Sequence, residues 1–242
     1  PSTAALLEDY DVIPTPMASW SSNVILNEYG RVVTQTALFR GTSMIAFDPI
    51  AAERVARNAS ATIERLAFNA LIASGGITNS GSAGGAVSDV TVTGKPSDTF
   101  RAALQSFKTN NVEPVSGERY LAVVSPAAEN ALRKETDAAG WRYWQANGGQ
   151  TDEIRNGYVG TYEGFDVVVS NISGLSSLGG LFIGKDALAK GVSAAPGFSA
   201  MPQIEVSPVV DRLRRFTSVG WYWLGGYARF RAEAVLSGNP AS

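Results

Sequence analysis

Hydrophobic and polar positions change rhythm several times along this 242-residue chain, and each change marks an element. Between 48 and 74 apolar side chains recur at helical spacing: Ile50, Val55, Ala59, Ile63, Leu66, Ala70 and Leu71. That spacing predicts one long helix over 49–74. Asp48 and Pro49 supply its start, as N-cap and first helical residue, and Gly75-Gly76 its stop. At 1.5 Å per residue it would be roughly 39 Å long, well above the average in globular domains. It needs a long surface to lie across.

Ahead of it, 23–46 alternates loosely (Val24, Leu26, then Val32, Thr34, Thr36, Leu38) around a break at Tyr29-Gly30, which predicts a hairpin-like extension. Residues 1–22 contain Pro14 and Pro16 and too little apolar period to fold alone. They read as an extended arm. An isolated two-stranded ribbon is marginal in water, so arm and hairpin both need another surface. Their removal over 23–45 is expected to leave a folded body that no longer assembles.

After a Gly/Ser-rich stretch over 76–94, turning to strand near Val90 and Val92, the pattern predicts a helix over 96–111 with Phe100, Leu104 and Phe107 on one face. A buried strand follows over 120–124, and Pro126 opens a helix to about Ala138. The block from Asn156 to Lys190 reads as strand, Gly turn, β-branched strand (165–169), polar loop, apolar strand (181–183) and a helix start. Residues 191–207 read as a Pro/Gly-rich loop. From Val219 the chain alternates again, with Gly225-Gly226 as a bend, then Tyr227, Arg229, Arg231 and Glu233 on one face of a half-buried strand.

Composition narrows the chemistry. There is no Cys and no His, which removes disulfides, thiolate nucleophiles, Ser–His relays and the commonest zinc ligands. Formal net charge is −2, giving no global attraction to nucleic acid or anionic membranes. Charged residues make up 17%, below the usual quarter, as expected if other subunits cover part of the surface. No apolar run reaches the roughly 18 residues of a membrane span. The start lacks a basic signal-peptide region and reads as a mature end.

Candidate sites are few. Gly179 to Asp186 approaches a phosphate-binding loop, but Asp186 stands where Ser or Thr should hold magnesium, and Leu181, Phe182 and Ile183 would bury it as strand. Asp152 with Glu153, and Glu163 with Asp166, are carboxylate pairs better explained as a helix start and a turn. Arg212, Arg214 and Arg215 form a basic cluster suited to interface ion pairs. The groups around Trp141 and Trp144, and around Trp221 and Trp223, suit core or subunit contacts better than sugar stacking. Catalytic, cofactor and metal residues are expected to be none.

The order of the 156–190 block, a G-x-x-G-x-x-x-G-F hairpin followed by FIGKDALAKG, resembles the capsid-tip domain of tailed-phage major capsid proteins with the Hong Kong 97-type fold. The resemblance implies an α+β fold along nearly the whole chain. Residues 1–22 would be the N-terminal arm and 23–46 the extended loop. Residues 47–117 and 201–242 would form the peripheral domain with spine helix 49–74, and 118–200 the axial domain. The ending GW…GGYARFRAEAVL is similar to the podophage N-four-like coat protein branch.

On that resemblance the chain has no active site. It would tile as pentamers and hexamers into an icosahedral head around double-stranded DNA, in the bacterial host cytoplasm, with portal, scaffold or cement proteins as further partners. Arg31, Phe39, Arg40, Trp141, Trp144, Arg214 and Arg215 are the candidate inter-subunit contacts. Two alternatives stand beside it: an encapsulin-type compartment shell, and a secreted β-rich carbohydrate-binding or adhesin module.

Overall fold

A computed structural model describes residues 23–43, 47–72, 88–90, 95–135, 158–193, 195, 197–207 and 215–239. The long helix is present as α2, Phe47–Ile72, beginning slightly earlier than the Asp48-Pro49 signal because Pro49 is tolerated within the first turn. Its buried stripe serves two cores. Val55 and Ala59, backed by Ile63 and Leu66, pack on one sheet, whereas Phe68 and Leu71 enter a second core nearer the helix end. A length of about 39 Å is what allows one helix to span both.

The first sheet has four strands around the long β9, Phe216–Arg229. β1, Asn27–Thr36, runs antiparallel to it with Asn27 opposite Gly225 and Thr36 opposite Phe216. β7, Leu188–Val192, and β8, Gln203–Ser207, pair with successive stretches of β9. Val219, Trp221 and Trp223 face α2, and Tyr29 stacks on Trp223 with ring centroids 6.0 Å apart.

This arrangement corrects several expectations. Residues 23–46 are not a hairpin: β1 spends its ladder on β9, and Thr36 then caps the short helix α1, Ala37–Thr42, by accepting from the Phe39 N–H. Tyr29-Gly30 is no break, because the pairing with β9 runs through it. Deleting 23–45 would therefore strip a ten-residue strand from the sheet rather than trim a loop. β9 likewise passes straight through Gly225-Gly226. Small residues are needed there because the segment 24–26 crosses the sheet at that level: a Cβ on Gly226 would meet the Ile25 carbonyl, and one on Gly191 would sit 2.9 Å from Val24 and Leu26. The stretch 186–190 turns, with Asp186 at φ +59°, and enters β7 instead of starting a helix. The strand from 219 ends at Arg229; Ala232–Ala234 form one 3₁₀ turn, so Arg231 and Glu233 do not continue its alternation.

The second sheet has six strands in the order β2, β10, β6, β3, β5, β4. These are Ser88–Asp89, Val235–Gly238, Gly180–Ile183, Tyr120–Val124, Phe165–Val169 and Tyr158–Tyr162. The β4–β5 hairpin turns at Glu163 (φ +47°) and Gly164 (φ +83°), two consecutive left-handed residues as a tight hairpin demands. α3, Pro96–Thr109, lays Phe100 and Phe107 on this sheet; Phe100 meets Tyr162, Phe165 and Phe182 edge-on at 5.0–5.7 Å. Its N-terminus is capped from a distance, since the Ser97 N–H and hydroxyl both donate to the Glu135 carboxylate (3.2 and 2.6 Å). α4, Pro126–Lys134, is capped locally by Ser125.

The sheets do not follow the boundaries at 117/118 and 200/201. β10 from the chain end and α3 belong to the six-stranded body, while β7 belongs to the four-stranded one. Long-range pairing of this kind is invisible to local pattern.

Candidate assembly surfaces

No catalytic constellation emerges among the described residues. Glu163 pairs with Arg101 (3.1 Å) and Asp166 with Arg119 (3.4 Å), so these two carboxylates are each neutralised by a separate guanidinium rather than facing one substrate. The loop-like string 179–186 is β6 with Leu181 and Phe182 buried, leaving no backbone cradle for phosphate. No group of three or more Asp or Glu that could hold a metal occurs among the described residues, and no described helix is long and apolar enough to cross a membrane. Asp152 and Glu153 lie outside the described residues.

Perturbed groups are structural in character. Burial raises the Tyr162 hydroxyl well above the ordinary tyrosine range. Desolvation lowers the Arg229 guanidinium, buried at the end of β9. A hydrogen bond from Lys185 (2.5 Å) holds the exposed Glu113 carboxyl below its usual value and raises Lys185 in return.

What stands out is uncovered apolar surface on the four-stranded sheet. Its outer strands are β1 on one side and β8 on the other, and neither has a further strand partner among the described residues. Val32 is 63% exposed on β1; Ile204 and Val206 are 48% and 63% exposed on β8. Flat exposed edges of this sort invite strand addition from other chains. Ile25, Leu38, Phe39 and Met201 add exposed apolar side chains around the same body. A monomer would not normally leave so many in one region.

Between β1 and α2 lies a groove of about 870 Å³, lined by Arg31, Val33 and Gln35 from β1, Phe39 from α1, and Ile50 and Arg54 from α2 among others. Two sequence candidates, Arg31 and Phe39, thus meet at one surface. Arg40 sits in α1, with only its backbone described. Arg215 lies at the start of β9 with its guanidinium over the Phe216 ring at 5.6 Å. Trp141, Trp144 and Arg214 fall outside the described residues. Trp221 and Trp223 are core, as the structural reading of that aromatic group expects.

Sequence reasoning missed Ile204, Val206, Gln35 and Arg54. The first two were legible: Gln203-Ile204-Glu205-Val206-Ser207 alternates strictly, and only the flanking Pro202 and Pro208 disguised it as loop. Gln35 and Arg54 have no signal in sequence, because their importance comes from the meeting of β1 with α2.

Comparison with known proteins follows this geometry. A family model described as phage capsid protein matches residues 29–236. Among solved structures, the capsid of Ralstonia phage GP4 superposes with a TM-score of 0.65 at 19% identity, covering 89% of this chain and 73% of that one. Gordonia phage Cozz gives a TM-score of 0.65 at 15% identity, covering 99% and 78%. The head structure of Helicobacter pylori bacteriophage KHP40 gives 0.63 at 13% identity, covering 89% and 75%. No curated protein matches the chain. With most of its length inside the family model and its two sheets and long helix arranged as in these heads, the chain belongs to the phage capsid protein family and has the Hong Kong 97-type fold.

Proposed function

We propose that this chain is a major capsid protein whose copies tile as pentamers and hexamers into an icosahedral head enclosing double-stranded DNA. The observation that carries this reading is the pair of open edges of the four-stranded sheet, with Val32, Ile204 and Val206 exposed along them, in a member of a capsid family. Many small repeated contacts then sum through multivalency to a stable shell. DNA is held by enclosure and without sequence specificity, in keeping with the net charge of −2. The protein works without catalysis or cofactor. Assembly takes place in the host cytoplasm, with portal, scaffold and cement proteins as further partners.

Within this reading α2 is the spine helix, the four-stranded sheet with α2 is the peripheral domain, and the six-stranded sheet with α3 and α4 is the axial domain. Residues 1–22 are the arm. The ending GW…GGYARFRAEAVL supports a place beside the podophage N-four-like coat proteins.

Electron microscopy of the purified protein tests the proposal. Closed shells of uniform diameter are expected. A chain that elutes as a monomer at every concentration and salt, with no particles on the grid, would refute it.

A further inference from the structure

We infer that the groove between β1 and α2 is the receptor for the acidic stretch within residues 1–22 of a second copy; the inference rests on the capsid reading. Three features of the groove ask for an occupant of definite chemistry. First, Gln35 is only 8% exposed, and its side-chain carbonyl oxygen, Oε1, has no hydrogen-bond partner among the described residues. A buried acceptor left unpaired is costly, so a donor is missing, and the backbone N–H of an extended segment supplies one. Second, Arg31 and Arg54 both line the groove, and neither has an ion-pair partner among the described residues. Two guanidiniums in a partly desolvated cleft call for carboxylates. Third, Val33, Phe39 and Ile50 make the rest of the surface apolar.

Residues 1–22 match all three requirements. They contain Glu8, Asp9 and Asp11 and no Lys or Arg. Leu6, Leu7, Val12 and Ile13 flank those acids, so apolar and anionic groups come in one short run. Charge complementarity of this kind selects the partner and its register.

The direction in which the chain leaves β1 argues for a second copy over the same one. Trp223 and Tyr227 face α2, so Gly226 between them lies on the opposite face of the sheet. Val24, Ile25 and Leu26 run against Gly226 and Gly191 on that opposite face. The groove lies on the α2 side, toward the other end of β1. The chain therefore departs from its own groove, and a neighbour's is the one it reaches.

Because the sequence has no Cys, introduced thiols report without background. One preparation would carry Ile50→Cys and a second Leu7→Cys or Val12→Cys. Co-assembled shells, mildly oxidised and run on a non-reducing gel, should give a two-chain band absent from either preparation alone. In parallel, Arg31→Glu with Arg54→Glu should lower shell yield by about tenfold or more, without shifting the melting of the unassembled chain. Adding Glu8→Arg and Asp11→Arg should restore the yield. Shells from the unaltered chain with no two-chain band at either position would overturn the groove assignment and leave the capsid reading standing. So would a disulfide formed only within one chain carrying both thiols, or unchanged yield from the double Arg variant. An unaltered chain that makes no shells would overturn both.

Discussion

The Trp221 indole N–H donates to the Asn58 side-chain oxygen at 3.1 Å, joining β9 to α2 across 163 positions of sequence. Trp221 is almost fully buried between helix and sheet, and Asn58 is the polar residue of α2 placed to satisfy it. The link fixes the rotation of the long helix on the four-stranded sheet. It also gives Asn58 a structural role in place of the glycosylation suggested by Asn58-Ala59-Ser60. Replacing Asn58 with Leu should leave the indole unpaired and cost about 1–3 kcal/mol, whereas Asn58→Asp, which retains an acceptor, should cost less. Chemical unfolding of the unassembled chain measures both; equal midpoints for the Asn58→Leu variant and the unaltered protein would refute the role.

The second core should respond to cavity formation far more than the surface does. Phe100 is fully buried amid three aromatic rings, so Phe100→Ala is expected to destabilise by about 3–5 kcal/mol. Phe198, exposed and merely tilted against Tyr222, should cost little when truncated, within about 0.5–1 kcal/mol. Similar losses at the two positions would mean that the six-stranded body is not the main core.

Two glycines should behave oppositely. A methyl at Gly226 runs into the Ile25 carbonyl, so Gly226→Ala should lift the 24–26 crossing off the sheet and speed hydrogen exchange of those amides. Gly41 in α1 has open space around it, and Gly41→Ala should stabilise by up to about 1 kcal/mol through helix propensity. Exchange at 24–26 that is unmoved by Gly226→Ala would contradict the crossing.

The Glu113–Lys185 contact should set a shallow pH dependence. Glu113 has a depressed carboxyl pKa when folded, so its contribution is present above the unfolded value and fades as pH falls through the folded one. Lys185 is raised, so its contribution is present below the ordinary lysine range and fades as pH rises through the folded value. The pair is therefore whole at neutral pH. Lys185→Ala should move the Glu113 titration upward, as followed by carboxyl NMR. An unmoved curve would show that the contact is not formed in solution.

The lattice should be non-covalent. The lysines are Lys95, Lys108, Lys134, Lys185 and Lys190; none lies within 23–46, where relatives resembling this fold carry the Lys of an isopeptide weld. Arg31 and Arg40 in that stretch remain protonated and are not amine nucleophiles of that kind. Shells boiled in detergent should release one band near 25.5 kDa. A ladder of multimers would contradict this.

Local pattern alone determined the long helix, α3 with Phe100 and Phe107, the buried strand at 120–124, the opening of α4 at Pro126 and the β4–β5 hairpin at Gly164. Each is specified by neighbours a few residues apart: apolar spacing, Pro at a helix start, left-handed residues in a tight turn. The tertiary structure decided which strand pairs with which. Residues 27–36 have the alternation of a hairpin arm, yet β9 takes their ladder, and Gly225-Gly226 looks like a bend until 24–26 is seen crossing it. The groove is of the same kind. Arg31, Gln35 and Arg54 acquire meaning only when β1 and α2 are brought together by the Trp221 core, because pairing across more than a hundred residues leaves no periodic trace in the segments that make it.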